Sequence, residues 1–321
     1  REHIQTFVNA ALEAANPAKQ VAKHIDEIRT IAENHQNIWV VGAGKASLEM
    51  ALELHTHLGN EIKGGAVAVV PERLGQLSAS RRASLPFGLY PATHPLATEK
   101  NVIAAKAIAD VAQQVGKGDL LIALISGGGS AHLALPIDGL DLSAYQGVIN
   151  QLMRAGATIE ELNAVRKHAE QLKGGGLLRL AAPGRVHALI LSDVIGDPLD
   201  VIASGPISAD PTTFADALAI LERHEIELPP VLAEHLNAGV RGEKPETVKP
   251  SNPLLGLASH AMLGNNILAV EAVKAAAEEL GFVVAHVETG VQGEAGEVGR
   301  NLVQLIRQAE DRPAIAIFGG E

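Results

Sequence analysis

Residues 119–136 read DLLIALISGGGSAHLALP, an apolar run followed by three consecutive glycines between two serines. The run predicts a buried strand over 119–126, and the glycines predict a tight turn at its carboxyl end. A strand-to-helix turn needs one or two glycines, so a third one favours a loop whose backbone N–H groups approach an anion. The residues predicted to bind that phosphate or carboxylate are Ser126, Gly127, Gly128, Gly129 and Ser130.

A second strand, glycine turn and helix start is predicted by IWVVGAGKAS at 38–47. Strands alternate with helices along the rest of the chain, and such alternation implies parallel βαβ units. We therefore expect an α/β fold, a Rossmann-like parallel sheet with helices on both faces. The other predicted strands cover 64–72, 186–193, 260–264, 282–288 and 314–319, and the predicted helices cover 2–15, 17–34, 98–115, 158–173, 265–280 and 294–310.

A stretch with three prolines and mixed charge, at 240–255, is the best linker candidate. It divides the chain into an N-terminal Rossmann-like domain at 1–240 and the start of a second α/β domain at 241–321. The chain stops at Glu321 directly after a predicted strand and a glycine turn. We therefore expect the second domain to be incomplete.

Composition excludes several classes of function. The formal charge is −11 and no Lys/Arg cluster is longer than Arg81-Arg82, which argues against a nucleic-acid surface. The chain has no cysteine, so disulfides, thiolate metal sites and cysteine nucleophiles are excluded. No apolar run reaches the roughly 18 residues that span a bilayer, and no signal sequence opens the chain. We expect a cytoplasmic protein that does not bind membranes.

Polar residues follow three of the predicted strands at their carboxyl ends, where ligands bind in open α/β sheets. They are Gly42, Gly44 and Lys45 in the stretch at 38–47, the 126–130 loop after the strand at 119–126, and Ser192-Asp193 at the end of the strand at 186–193. If the sheet is parallel, these three groups converge. Lys45 at a helix N-terminus is electrostatically misplaced unless an anion binds there, and Asp193 is suited to hold Mg²⁺ or to act as a general base. The alternatives are a solvated lysine and a capping aspartate.

The predicted helix at 158–173 has a polar face that includes Arg166 and Lys173. This face is either solvated or a cationic wall for a carboxylate or phosphate. GAGKAS approaches the dinucleotide motif G-x-G-x-x-G, but Ser47 replaces the third glycine. The acid expected about 20 residues later at a strand end is not clearly placed, since Glu72 lies 30 residues on. The chain also lacks the Walker motif G-x-x-x-x-G-K-[ST].

Four blocks of the sequence, taken together, resemble the glycerate 2-kinase family, whose members also carry the name hydroxypyruvate reductase. The blocks are VGAGKAS, ISGGGSAHLALP, LNAVRKHAEQLKGGGLL and LILSDVIGDPLDVIASGP. The resemblance runs through roughly 1–320. It implies ATP- and Mg²⁺-dependent phosphorylation of D-glycerate at its 2-hydroxyl, in a cleft between two α/β domains, with Lys45 in the active site and the glycine loop and Asp193 bordering it. It also implies a further active-site arginine beyond Gly319, and leaves open whether the 321 residues catalyse alone.

Two other functions stay open at this point. GAGKAS also suits an NAD(P)H-dependent hydroxypyruvate reductase, and the chain could be a non-catalytic module that binds a nucleotide or a sugar acid. The anion bound by the glycine loop, the choice of nucleotide and the role of Asp193 are not decided by the sequence. A homodimer is left open.

Overall fold

The computed structural model of the protein describes residues 2–310 and 312–321. Its strands are β1 (Ile38–Ala43), β2 (Ile62–Val69), β3 (Gly88–Pro91), β4 (Leu120–Ser126), β5 (Arg185–Leu191), β6 (Ala258–Gly264), β7 (Val283–Val291) and β8 (Ala314–Gly320). Its α-helices are α1 (Glu2–Ala14), α2 (Pro17–Lys23), α3 (Ile25–Ala32), α4 (Ser47–Leu58), α5 (Pro71–Gly75), α6 (Ala79–Ala83), α7 (Glu99–Ala112), α8 (Gly129–His132), α9 (Leu142–Arg154), α10 (Ile159–Ala169), α11 (Gly176–Ala181), α12 (Phe214–Arg223), α13 (Pro230–Val240), α14 (Asn266–Glu279) and α15 (Ala295–Gln308). Short 3-10 helices lie at Gly59–Glu61, Ile202–Ser204 and Pro253–Leu257.

The first six strands form one parallel sheet in the order β3-β2-β1-β4-β5-β6. This is the Rossmann order, and its direction of winding reverses between β1 and β4. The two strands run in register from Ile38 beside Leu120 to Ala43 beside Ile125, so their carboxyl ends meet at one edge. The predicted fold class is confirmed, and the glycine turns after β1 and β4 lie at the switch point.

Every residue of β1 and β4 is buried, because helices cover both faces of the sheet. One face of β4 packs into the core formed with α7 and α11, through Leu121, Ala123 and Ile125. The other face packs into the core formed with α2, α3 and α4, through Leu120, Ile122 and Leu124. A strand buried on both faces is apolar at nearly every position, here from Leu120 to Ile125, which is why the strand was predictable from the sequence.

A helical unit made of α9, α10, α12 and α13 packs around a separate apolar core. A capping box between Thr158 and Glu161 starts α10, as the sequence predicts. The helix ends at Ala169, four residues before the predicted end at 173, because Glu170 turns to extended backbone and bridges to Pro136. The predicted helix at 17–34 is likewise divided, at His24.

The remaining strands β7 and β8 pair in parallel as a separate sheet. Strand β6, which follows the predicted linker, pairs with β5 in the large sheet. The division into domains at 1–240 and 241–321 stays a prediction. Across residues 2–310 and 312–321, no helix combines the length and apolarity needed to cross a membrane.

Candidate active site

The loops after β1 and β4 are bonded to each other at the sheet edge. The backbone N–H of Lys45 donates to the Gly127 carbonyl at 2.9 Å, and that of Ala46 donates to Ser126 Oγ at 3.0 Å. Ser126 therefore accepts a hydrogen bond from an N–H group at the start of α4. In most helices a capping residue of the same helix accepts the N–H groups at this end. The convergence of the two loops, expected from the sequence, is present.

Gly44 makes this close approach possible. Its φ is +115°, and a Cβ at this position would lie 2.3 Å from both the carbonyl oxygen and Oγ of Ser126. The close contact at Gly42, by contrast, is with β2. Gly42 is buried within β1, and a Cβ there would lie 2.8 Å from Val67 Cγ1. Gly44 thus shapes the site, whereas Gly42 allows close packing of β1 against β2.

Lys45 and Asp193 face each other across the glycine loop. Lys45 Nζ lies 3.9 Å from Asp193 Oδ2, and the two side chains are 53% and 62% exposed. A Cβ on Gly127 would lie 2.0 Å from Asp193 Oδ2, so the Asp193 carboxylate can occupy this position only because residue 127 has no side chain. An ion pair this open contributes little to stability, which leaves both charges available to a ligand.

The glycine loop itself passes from β4 into the short helix α8. Gly128 has a left-handed φ of +84°, and within residues 2–310 and 312–321 the N–H groups of Gly128, Gly129 and Ser130 donate to no backbone or side-chain acceptor. Consecutive N–H groups in such a turn form a concavity suited to an anion. The His94 ring covers Gly128, with Cδ2 2.8 Å from where a Cβ would stand.

A strained segment lies on the other side of this loop. Ala203, Ser204 and Gly205 have φ values of +50°, +61° and +66°, and non-glycine residues in this region cost about 1–3 kcal/mol each. Ser204 Oγ lies 3.0 Å from Ser130 Oγ, and Ala203 Cβ fills the space where Gly129 would carry a Cβ. Neither His94 nor Ser204 was predicted from the sequence, because neither belongs to a glycine turn directly after a predicted strand.

A cleft of about 380 Å³ opens at this edge of the sheet. Its lining includes Lys45, Ser126, Gly127, Ser192 and Asp193, which were predicted from the sequence to converge. The other lining residues are Ala15, Ala46, Leu191, Ile195, Asn265, Asn266, Ala269 and Gly320. The volume is within the range of small-molecule sites.

The two asparagines of the cleft come from the turn between β6 and α14. Asn265 Oδ1 accepts the Leu268 N–H at 3.0 Å as an N-cap, and its Nδ2 donates to Asp197 Oδ2 at 2.6 Å. Asn266 Nδ2 donates to the Thr289 carbonyl at 2.5 Å. They repeat the pattern of polar residues directly after a strand, which was the signal that could have found them.

Lys173 and Arg166, like Gly128, Gly129 and Ser130, are not among the described residues that line the cleft. The Lys173 side chain is 3% exposed, and its ammonium pairs with the Glu170 carboxylate, which also accepts a hydrogen bond from the Tyr145 hydroxyl. Burial lowers the pKa of Lys173, although Glu170 opposes this, and burial together with Glu170 raises the pKa of Tyr145. Arg166 lies beside the same group, 3.5 Å from Asn163 Oδ1. Because α10 ends early, the predicted cationic wall is a buried ion-pair cluster.

His132 lies under the first glycine turn. Its Nδ1 accepts the Gly44 N–H at 3.1 Å, and its side chain is completely buried. Burial is the main cause that lowers the pKa of His132 to about 4, and electrostatic coupling to His94 and Lys45 acts in the same direction. The imidazole is therefore neutral at physiological pH, with its proton on Nε2.

This shift makes stability depend on pH. The unfolded chain binds a proton at His132 below pH 6.5, whereas the folded protein binds it only near pH 4. Stability from this group is complete above pH 6.5 and falls by about 3 kcal/mol as the pH drops to about 4. Urea unfolding at several pH values should show a flatter profile for His132→Gln than for the natural protein. Parallel profiles would contradict the assignment.

The donor set at Asp193 fits Mg²⁺ only together with a substrate. Within the described parts of the chain, no three His, Asp or Glu side chains come close enough to hold a metal ion by themselves. Mg²⁺ commonly binds through one or two carboxylates plus substrate phosphates, and it retains several waters. Asp193, exposed beside Lys45 in the cleft, suits that mode.

Comparison with known proteins adds an independent observation. Residues 3–237 match the family described as domain of unknown function DUF4147. A glycerate 2-kinase from Pyrococcus horikoshii is 33% identical, with 100% of this chain and 73% of that protein covered. The chain belongs to the glycerate kinase family.

Other members of the glycerate kinase family agree in sequence and in structure. A D-glycerate 2-kinase from Thermotoga maritima is 33% identical over 98% of this chain and 72% of that protein. The crystal structure of a T. maritima glycerate kinase superposes with a TM-score of 0.86 at 32% identity, covering 100% of this chain and 73% of that one. The resemblance stated from four sequence blocks is confirmed, and with it the class of enzyme, a phosphotransferase.

Proposed function

We propose that the protein transfers the γ-phosphoryl group of ATP to the 2-hydroxyl of D-glycerate, giving 2-phosphoglycerate and ADP. The observation that carries the proposal is the approach of Lys45 and Asp193 to 3.9 Å across Gly127, in a cleft at the switch point of the sheet. Lys45 and Asp193 lie beside a loop whose N–H groups at 128–130 donate to no acceptor among the residues that the structure describes. Phosphoryl transfer depends mainly on such positioning and charge neutralisation.

In this proposal each group has one task. Lys45 neutralises charge on the transferring phosphoryl group while the bond from phosphorus to the glycerate oxygen forms and the bond to ADP breaks. The N–H groups of 128–130 bind anionic oxygens, of the phosphates or of the glycerate carboxylate. Ser126 and Gly127 hold the Lys45 turn in place.

Asp193 has two chemically distinct roles open to it. It accepts the proton of the 2-hydroxyl, or it is the protein ligand of Mg²⁺. The ion, when bound to phosphate oxygens, supplies charge neutralisation. In either role the carboxylate must stay within reach of Lys45, and Gly127 provides the space for that.

Paired assays test the proposal. ADP release from ATP and D-glycerate is measured beside NADH oxidation with hydroxypyruvate, on the same preparation. Phosphorus NMR then identifies the product, because a phosphate on the 2-oxygen couples to one carbon-bound proton and a phosphate on the 3-oxygen couples to two. Hydride transfer without ADP release would replace the kinase with the reductase, and ligand binding without either reaction would support a binding module.

Asp193→Asn should lower kcat by about 10²-fold, the lower end of what a general base or a metal-positioning group contributes. If Asp193 holds Mg²⁺, the Mg²⁺ concentration for half-maximal activity rises in the variant; if it is the base, kcat falls and the Mg²⁺ requirement is unchanged. Asp110→Asn is the matched control, since Asp110 is exposed on α7 and pairs with Lys106. Unchanged kcat in Asp193→Asn would remove Asp193 from the site.

A further inference from the structure

We propose that His132 is a positioning residue of the phosphoryl-transfer site, whose imidazole Nδ1 holds the backbone from which Lys45 projects. The inference rests on the proposed function and extends it to a residue outside the cleft. His132 lies within α8, 88 positions along the chain from Gly44, and the two are joined by the hydrogen bond from Gly44 N to His132 Nδ1 at 3.1 Å.

The bond belongs to a set of three that fixes the turn. The consecutive N–H groups of Gly44, Lys45 and Ala46 donate to His132 Nδ1, to the Gly127 carbonyl and to Ser126 Oγ. All three acceptors lie on the segment at the end of β4 and after it. The turn that carries Lys45 is thus held by hydrogen bonds to the glycine loop and to His132, and His132 bonds to the residue immediately before the lysine.

An apolar side chain would fill the same buried space at lower cost. His132 Nε2 makes no hydrogen bond of standard geometry within residues 2–310 and 312–321. The Ala68 carbonyl, which faces the ring, already accepts the Ser47 hydroxyl at 2.6 Å. A buried donor without a full partner is unfavourable. What the imidazole provides in return is an acceptor for Gly44 N–H, which a leucine would leave unpaired.

The neutral state of the ring matters as well. Nδ1 can accept only while it carries no proton, and a charged ring would add a buried cation close to His94 and Lys45. Loss of the bond frees Gly44 to rotate, and the Lys45 ammonium moves away from Asp193. Displacement of a catalytic group by about 1 Å is sufficient for large losses in rate.

Three substitutions separate positioning from packing. The Asn side-chain oxygen can replace Nδ1 as an acceptor, the Gln amide group corresponds to Nε2, and Leu fills the volume without any acceptor. We expect His132→Asn to keep most of the natural kcat, and His132→Gln and His132→Leu to lose about 10- to 100-fold in kcat with little change in KM. Thermal unfolding of each variant provides the parallel measure of packing.

The order of the three variants in kcat and in Tm distinguishes a positioning role from a purely structural one. A purely structural role predicts that Leu and Gln, which are closer to His in volume, are better tolerated than Asn in both Tm and kcat. Natural kcat in His132→Leu, or kcat losses that follow Tm across the three variants, would overturn the proposal. If the natural protein releases no ADP from ATP and glycerate, the proposed function fails and this role with it; an active natural enzyme with an equally active His132→Leu variant refutes only the role of His132.

Discussion

Lys45→Ala is expected to lower kcat/KM for glycerate phosphorylation by about 10²–10³-fold, the loss typical of removing one charge-stabilising group from a transition state. The Lys45 side chain is 53% exposed, and its Nζ lies 3.9 Å from Asp193 Oδ2. Because an exposed pair of this kind contributes at most about 1 kcal/mol to stability, the variant should unfold at nearly the natural urea concentration. Activity and stability therefore separate in this variant.

The measurement is steady-state ADP release at saturating and limiting ATP, with urea unfolding on the same preparations. Lys106→Ala is the matched control, because Lys106 is an exposed helical lysine paired with Asp110 at 3.3 Å. Lys45→Arg keeps the charge but changes the shape of the donor, so we expect it to fall between the other two. Near-natural turnover in Lys45→Ala would show that the charge at 45 does not act on the transferring group.

Gly44→Ala is expected to destabilise the protein by about 4 kcal/mol, from a left-handed alanine and from overpacking together. The added Cβ would stand 2.3 Å from the Ser126 carbonyl oxygen, a backbone atom that cannot rotate away as a side chain would. The loops after β1 and β4 would have to separate. Any protein that still folds should also lose activity, because Lys45 follows directly.

Gly156→Ala measures the cost of the backbone conformation alone. Gly156 has φ of +81°, and in the described part of the chain no atom beyond its two chain neighbours lies within 4 Å of the position a Cβ would take. Only the conformational cost of about 1–2 kcal/mol therefore applies. Urea unfolding of both variants gives the difference that is due to contact with Ser126. Equal losses in the two variants would mean that the loops move apart freely and that Gly44 is not required for their approach.

Much of the fold was predictable because it depends on contacts close in sequence. β1 and β4 are buried on both faces, so each appears as a nearly continuous apolar run with a glycine turn at its carboxyl end. The capping box at Thr158 is a signal of the same local kind. β3 was not predicted because the strand has only four residues, Gly88–Pro91, and most of them are half-buried. The position of His94 beside the glycine loop, three residues after this strand, was therefore not predicted either.

The polar helix face predicted over 158–173 could not be judged correctly from residues close in sequence. The periodicity of α10 continues in the sequence beyond Ala169, but the bridge from Glu170 to Pro136 ends the helix and turns Lys173 into the interior. A buried lysine beside a buried carboxylate can be recognised only once the partner's position is known. No spacing rule contains that information.

By itself the sequence determined the parallel α/β fold, the glycine turns at the ends of β1 and β4, and the candidate roles of Lys45 and Asp193. These follow from apolar periodicity and from glycine's freedom from a Cβ, which are properties of single residues and near neighbours. Only the tertiary structure decided that Asp193 rests on Gly127, that Asn265 and Asn266 complete the cleft, and that His132 supports Gly44. Those contacts join residues dozens of positions apart, and their distances are set by the register and order of the strands.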